Sequence, residues 1–260
     1  ADSEWRHRLP AARSEVEELA ALLSSASSGA DVTLLLGQEA SYERVLHELR
    51  DGRYDVVHFA GVSHFDESGS YLMLHDGKVG AAELVTLLIK RPPALLFANA
   101  LYAGFVPVFS EAFPLPLREG MSFDDHYRAI MRHRVGFERA ASRAGVGTFV
   151  GSMGITSDDM ANRVARGFYE LLLKGRNAAQ ALHQARRRTF DDATTAGKPL
   201  QDTTLMQLAM AGYADLRLVG TARRRQAGAA KLVTTRARGT PAKDKAAPPP
   251  RGKRKRGPSR

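Results

Sequence analysis

Between residues 10 and 220 the apolar positions alternate between short continuous runs and stretches of helical period. Residues 31–36, 54–60, 94–100 and 146–152 have the length and Val/Leu/Phe content of strands buried on both faces. Between them, 13–23 places Val16, Leu19, Ala20, Leu22 and Leu23 on one helical face, with Pro10 ahead of it. Residues 41–49 bury Val45, Leu46 and Leu49 in the same way, 81–89 run up to Pro92-Pro93, and 123–144 read as one long helix. Two runs, 71–74 and 78–79, flank Asp76-Gly77, a dipeptide suited to a tight hairpin turn.

The C-terminal half is punctuated clearly. Thr156 with Asp159 is expected to cap a helix on which Met160, Val164, Phe168 and Leu171 recur. Gly175 stops that helix, Asn177 with Gln180 opens the next through Ala181, Leu182 and Ala185, and 216–219 read as a closing strand. Apolar strands alternating with amphipathic helices predict an α/β fold, a mostly parallel central sheet with helices on both faces. In such sheets the chemistry gathers in loops past the C-terminal ends of the strands. Here those loops are 61–66, 101–104 and 153–158.

Charge alters the picture at one end. The 260 residues hold 38 Lys and Arg against 28 Asp and Glu. Fourteen of the basic residues and one acid fall in 221–260, which leaves 24 basic and 27 acidic residues before them. Residues 1–219 are therefore read as one mildly acidic domain, and 220–260 as a basic, proline-containing tail with too few apolar residues to offset the entropy of ordering. Lys253, Arg254, Lys255 and Arg256 form its densest cluster, which would suit nucleic acid or an anionic surface; a solvated extension is the plainer account. No aromatic residues interleave these charges, against a dedicated single-strand binder.

Absences narrow the chemistry further. With no cysteine in the sequence, disulfides, thiolate metal sites and a thiol nucleophile are excluded. No segment approaches the ~18 uninterrupted apolar residues of a membrane span. The charged first residues show no secretory signal, so a cytoplasmic protein is expected, and the start at Ala1 reads as a processed chain or a piece of a longer one. Gly145-Val-Gly147 precedes a strand, which is the wrong context for a dinucleotide loop. His58, His64 and His75 with Asp66 and Asp76 lack metal-ligand spacing, and no cofactor is expected. His58, inside an apolar strand, reads as a satisfied buried histidine.

Several of these segments, taken in order, resemble the CHAT family, caspase-like peptidase domains. Leu9-Pro10 with the helix after it resembles the family's opening helix, and Tyr54-Asp-Val-Val-His58-Phe-Ala-Gly61 its strand leading to the catalytic His. Leu74-His-Asp-Gly77 resembles the hairpin, and Leu96-Phe-Ala-Asn-Ala100 the strand leading to the catalytic Cys. Gly145 to Ser152, Asp158, Gly167-Phe-Tyr169 and Gly212-Tyr-Ala-Asp-Leu216 resemble the remainder. The resemblance implies a caspase-like sandwich and a Cys–His dyad. It fails at the dyad itself: Val62 stands at the base position, Leu101 at the nucleophile position, and Gly154 where a Trp is usual.

Valine and leucine offer neither lone pair nor proton, so thiolate attack and leaving-group protonation have no source here. The expectation is a domain that binds a protein or peptide at the former cleft. Its candidate contacts are Val62, Ser63, His64, Leu101, Phe105, Phe109, Phe113 and Asp158. The three phenylalanines, among prolines in 105–120, would anchor a partner or fold back as a lid. Asp158 would meet a basic side chain, or simply favour a helix N-terminus. Two alternatives remain: a peptidase, either an inactivated one or one relocated to Ser63 and His64, and a polyanion binder acting through the tail. The Gly-x-Ser-x-Gly elbow of serine hydrolases is absent.

Overall fold

A computed structural model describes residues 10–25, 29–66, 69–100, 103, 136–152, 157–195, 208–218 and 231–234. The first element, α1 (Pro10–Ser25), begins on the proline, where a missing N–H costs nothing because no acceptor exists there. It leads to β1 (Asp31–Leu34) and α2 (Tyr42–Asp51), which Ser41 caps by accepting a hydrogen bond from the Arg44 amide at 3.4 Å. After β2 (Val56–Ala60) come three short strands, β3 (Ser63–Asp66), β4 (Gly69–Met73) and β5 (Lys78–Gly80). Then follow α3 (Ala81–Leu88), β6 (Leu95–Asn99), α4 (Phe137–Ala144), β7 (Thr148–Ser152), α5 (Asp158–Leu173) and α6 (Ala178–Thr195). Two strands, β8 (Leu208–Gly212) and β9 (Lys231–Thr234), complete the described elements.

The main sheet has six strands in the order β1-β9-β2-β6-β7-β8, with β8 alone antiparallel to its neighbour. Every residue of β2, β6 and β7 is buried, as strands covered on both faces must be. The alternation of a pleated strand divides them between two cores. Val57, Phe59, Leu96, Ala98 and Phe149 face α2, α3 and α4, whereas Val56, Leu95, Phe97 and Val150 face α1, α5 and α6. On the second side the Phe97 ring lies 5.4 Å from Phe168 and 5.9 Å from Tyr169, an aromatic cluster that fastens α5 to β6.

Several expectations are corrected. Residues 63–66 are the first strand of a separate three-stranded antiparallel sheet, paired Ser63↔Leu72 and His64↔Tyr71, where a loop was expected. The helix expected over 123–144 begins at Phe137, because Gly136 is extended at φ -70, ψ 163; 123–135 lie outside the described residues. Ser157 precedes α5 without a side-chain cap, and Thr156, expected to cap the helix with Asp159, lies outside the described residues. The Asn177–Gln180 box holds: the Gln180 amide donates to Asn177 Oδ1 at 2.8 Å and the Asn177 amide to Gln180 Oε1 at 3.4 Å.

The closing strand is 208–212, not 216–219. The carbonyls of Ala214 and Leu216 are taken by the Ala179 and Ala178 amides at 3.0 and 2.8 Å, so that segment caps α6. Gly212 ends β8 at φ 101, and a Cβ there would stand 2.2 Å from the Gly147 carbonyl oxygen. Only glycine permits this approach, which the Tyr213 amide completes by donating to the same oxygen at 2.8 Å. One stretch of the basic tail, Lys231–Thr234, is a strand inside the sheet, between β1 and β2. Lys253, Arg254, Lys255 and Arg256 lie outside the described residues.

Candidate functional site

At their C-terminal ends β2 and β6 run side by side, in register from Val56↔Leu95 to Ala60↔Asn99. The Gly61 amide extends the pairing by donating to the Asn99 carbonyl at 3.1 Å. Val62 and Ala100 therefore leave the sheet from adjacent positions. Beyond them the two chains part. The Val62 carbonyl accepts from the Met73 amide at 2.9 Å, which turns the chain into β3, while the Ala103 amide donates back to the Ala100 carbonyl at 3.2 Å. Leu101 lies outside the described residues, as do Phe105, Phe109 and Phe113.

Directly beneath this junction lies a group of polar side chains closed off from water. Glu15 on α1 is 1% exposed and His58 on β2 is 0% exposed. His58 Nε2 donates to Glu15 Oε1 at 2.8 Å, and the Asn99 amide nitrogen donates to Glu15 Oε2 at 2.7 Å. On its other side His58 Nδ1 meets the Tyr169 hydroxyl at 3.2 Å. Burial, with the Glu15 charge as a smaller cause, pushes the Tyr169 phenol well above 10, so its proton stays in place and is directed at Nδ1. The tautomer that satisfies both contacts carries its proton on Nε2. One carboxylate thus ties α1 to the two strands whose ends form the site, and Tyr169 adds α5.

His58 is the satisfied buried histidine expected from its strand. Its partners are not apparent from sequence pattern in the same way, since an acid on an amphipathic helix ordinarily faces water. A signal does exist for Glu15: it lies four residues before Leu19 and eight before Leu23, which places it on the apolar stripe. Asn99 ends an otherwise apolar run, and nothing in the sequence pairs it with Glu15.

Of the remaining predicted contacts, Val62, Ser63, His64 and Asp158 are among the described residues. Val62 is half-buried, while Ser63 is buried and His64 exposed. As successive residues of β3 they point to opposite faces, so they do not form a Ser–His pair. His64 instead stacks 5.4 Å from Tyr71, across which Lys78 Nζ lies at 3.9 Å, a cross-strand ladder on the small sheet. Asp158 opens α5, where burial raises its carboxyl above the ordinary 3.8. Among the described residues no cluster of His, Asp and Glu could hold a metal, and no helix is long and apolar enough to cross a membrane.

The arrangement presents two neighbouring strand ends over a buried, fully bonded polar junction, with a hydrocarbon side chain at position 62. It supplies no proton donor or acceptor at that position. Comparison with known families finds that the CHAT domain model matches residues 2–203. No curated protein matches the chain.

Two predictions follow from the electrostatics. Glu15→Ala leaves His58 and Asn99 without their buried acceptor and is expected to cost about 3–5 kcal/mol in denaturant unfolding. Glu15→Gln, which keeps one acceptor oxygen, should cost less. For Asp158 the raised carboxyl means that the folded state holds the proton more tightly than the unfolded one, so its contribution is present below about pH 4 and declines as pH rises through the raised value. The melting temperature of Asp158→Asn, measured against the parent, should therefore improve between about pH 3 and about pH 7.

Proposed function

The chain belongs to the CHAT domain family, and we propose that its caspase-like scaffold recognises a protein or peptide segment without cutting it. The observation that carries this reading is the side chain at position 62 together with the complete absence of cysteine from the sequence. A caspase-like cleavage requires a thiolate and an imidazole at the two strand ends, and the residues at these positions are Val62 and Leu101. Loss of one member can leave residual turnover from binding and oxyanion contacts, but loss of both leaves no acyl intermediate to form. Aliphatic side chains in their place favour an apolar residue of a partner.

Ser63 and His64 do not restore chemistry, for the pleat of β3 separates them. On this reading Val62 and Leu101 floor the cleft, Phe105, Phe109 and Phe113 supply aromatic anchors above it, and Asp158 stands at its rim for a basic side chain. A cytoplasmic location is part of the same proposal.

The test is a peptide array and pull-down, read alongside proteolysis of the same peptides. Bound segments should carry an apolar anchor residue and emerge intact. Phe105→Ser, Phe109→Ser and Phe113→Ser together with Leu101→Asp should weaken binding at least about tenfold while the melting temperature holds. Unchanged binding in these variants, or cleavage of the bound peptides, contradicts the proposal.

A further inference from the structure

Away from the strand ends that carry Val62 and Ala100, the same strands begin at a rim of short connections. Helices α2, α3 and α4 each finish a few residues before β2, β6 and β7 start. Main-chain hydrogen bonds lay these connections side by side. The Leu95 amide donates to the Asp55 carbonyl at 3.0 Å, the Gly147 amide to the Pro93 carbonyl at 3.2 Å, and the Tyr213 amide to the Gly147 carbonyl at 2.8 Å. Arg217 donates to the Gly175 carbonyl, which brings the end of α5 to the same rim. From β2 across to β8 it spans three strand spacings, roughly 14 Å.

The rim is cationic. Arg53, Lys90, Arg91, Arg143, Lys174 and Arg176 are all exposed on it, and none makes an ion pair among the described residues. Along the helices, by contrast, arginines are met by acids: Arg13 by Glu17, Arg44 by Glu48, Arg163 by Asp159 and Arg166 by Glu18. The acids at the rim, Asp31, Asp51, Asp55 and Asp215, are fewer, and Asp51 holds His47 at 3.0 Å. A helix dipole accounts for Arg143, in the last turn of α4, but its effect fades beyond that turn, and Arg53, Lys90, Arg91 and Arg176 follow the helices. The two most exposed large apolar side chains among the described residues are here as well, Ile89 at 56% and Tyr213 at 69%.

We propose that this rim docks an acidic segment of a partner protein that carries apolar residues among its carboxylates. Four of the six unpaired cations are arginines, whose guanidinium groups take carboxylates in bidentate pairs. Ile89 and Tyr213 ask for apolar contact in addition. The phosphates of a nucleic acid would satisfy the cations and leave Ile89 in water. A bilayer would need a broader apolar face than two side chains to sink into its interface. Tyrosine and arginine are also the residues on which protein interfaces most often depend. Because the rim lies at the opposite end of the strands from Val62, the site stands whether or not the strand ends bind anything.

The test uses the full chain with a short labelled peptide of glutamate, leucine and serine, and a counterpart with serine in place of every leucine. The leucine peptide should bind more tightly than its counterpart, and its affinity should fall as salt is raised. Arg53→Glu, Arg91→Glu and Arg143→Glu together should weaken it at least about tenfold. Ile89→Ser with Tyr213→Ser should weaken it by about as much, the main-chain bond of Tyr213 being retained. All five side chains are exposed, so the melting temperature should hold; if charge reversal lowers it, Gln at the three arginine positions gives the same comparison. The basic tail is identical in every variant, so a change in affinity reads the rim. Unchanged affinity in the variants or equal binding of the two peptides would overturn the proposal. So would binding of oligothymidylate or phosphatidylserine vesicles, lost on the same arginine changes, with neither peptide bound.

Discussion

A carboxylate with almost no access to water persists only where its charge is met by hydrogen bonds, and Glu15 has them from two directions. The donors come from His58 in β2 and Asn99 in β6, neighbouring strands in the middle of the sheet. This fixes the order in which the parts of the molecule depend on one another. Helix α1 cannot shift along the sheet without breaking both bonds. Asn99, which ends β6, cannot rotate away without leaving the carboxylate half satisfied. Because Asn99 also accepts the Gly61 amide through its carbonyl, the same residue aligns the exits of the two strands. Tyr169 closes the network from α5, on the same face of the sheet as α1, by bonding His58, so two helices and two strands are joined around one anionic group.

Buried polar networks of this kind are costly unless complete, and in return they specify a single arrangement more sharply than apolar packing can. That bears on the reading proposed for the strand ends. The junction that positions the strand ends consists of residues other than Val62 and Leu101. Substituting those two positions with aliphatic residues removes reactive groups without touching Glu15, His58 or Asn99. The aligned ends of β2 and β6 are fixed by this junction whatever residues follow them.

Much of this was legible in the sequence, for identifiable reasons. Residues 56–60, 95–99 and 148–152 are covered on both faces, so their continuous apolar runs announce them as central strands. Helices α5 and α6 announce themselves through period and, for α6, the Asn177–Gln180 box. The failures share a different cause: they depend on partners distant in sequence. Residues 63–66 became a strand because residues 69–72 pair with them. Segment 216–218 lost its strand because α6 needed its carbonyls, and 231–234 gained one because the sheet had room between β1 and β2. Glu15 was hidden for the same reason, since a charge on a helix looks solvent-facing until the donors that meet it, His58 and Asn99, are located. At the site itself, the substitutions at 62 and 101 could be read from the sequence, whereas the junction beneath them could not.

The account depends most on the claim that positions 62 and 101 share one cleft, held there by the two aligned strand ends. Because the chain has no cysteine, a single introduced thiol can be followed without background. The direct measurement is the pH dependence of alkylation in Leu101→Cys and in Val62→His combined with Leu101→Cys. If the two side chains meet, the added imidazole should shift the alkylation midpoint at least about one pH unit below the ~8.5 of a free thiol, while the single variant stays near it. Superimposable profiles for the two variants would show that the positions do not face one another, and the cleft described here would not exist.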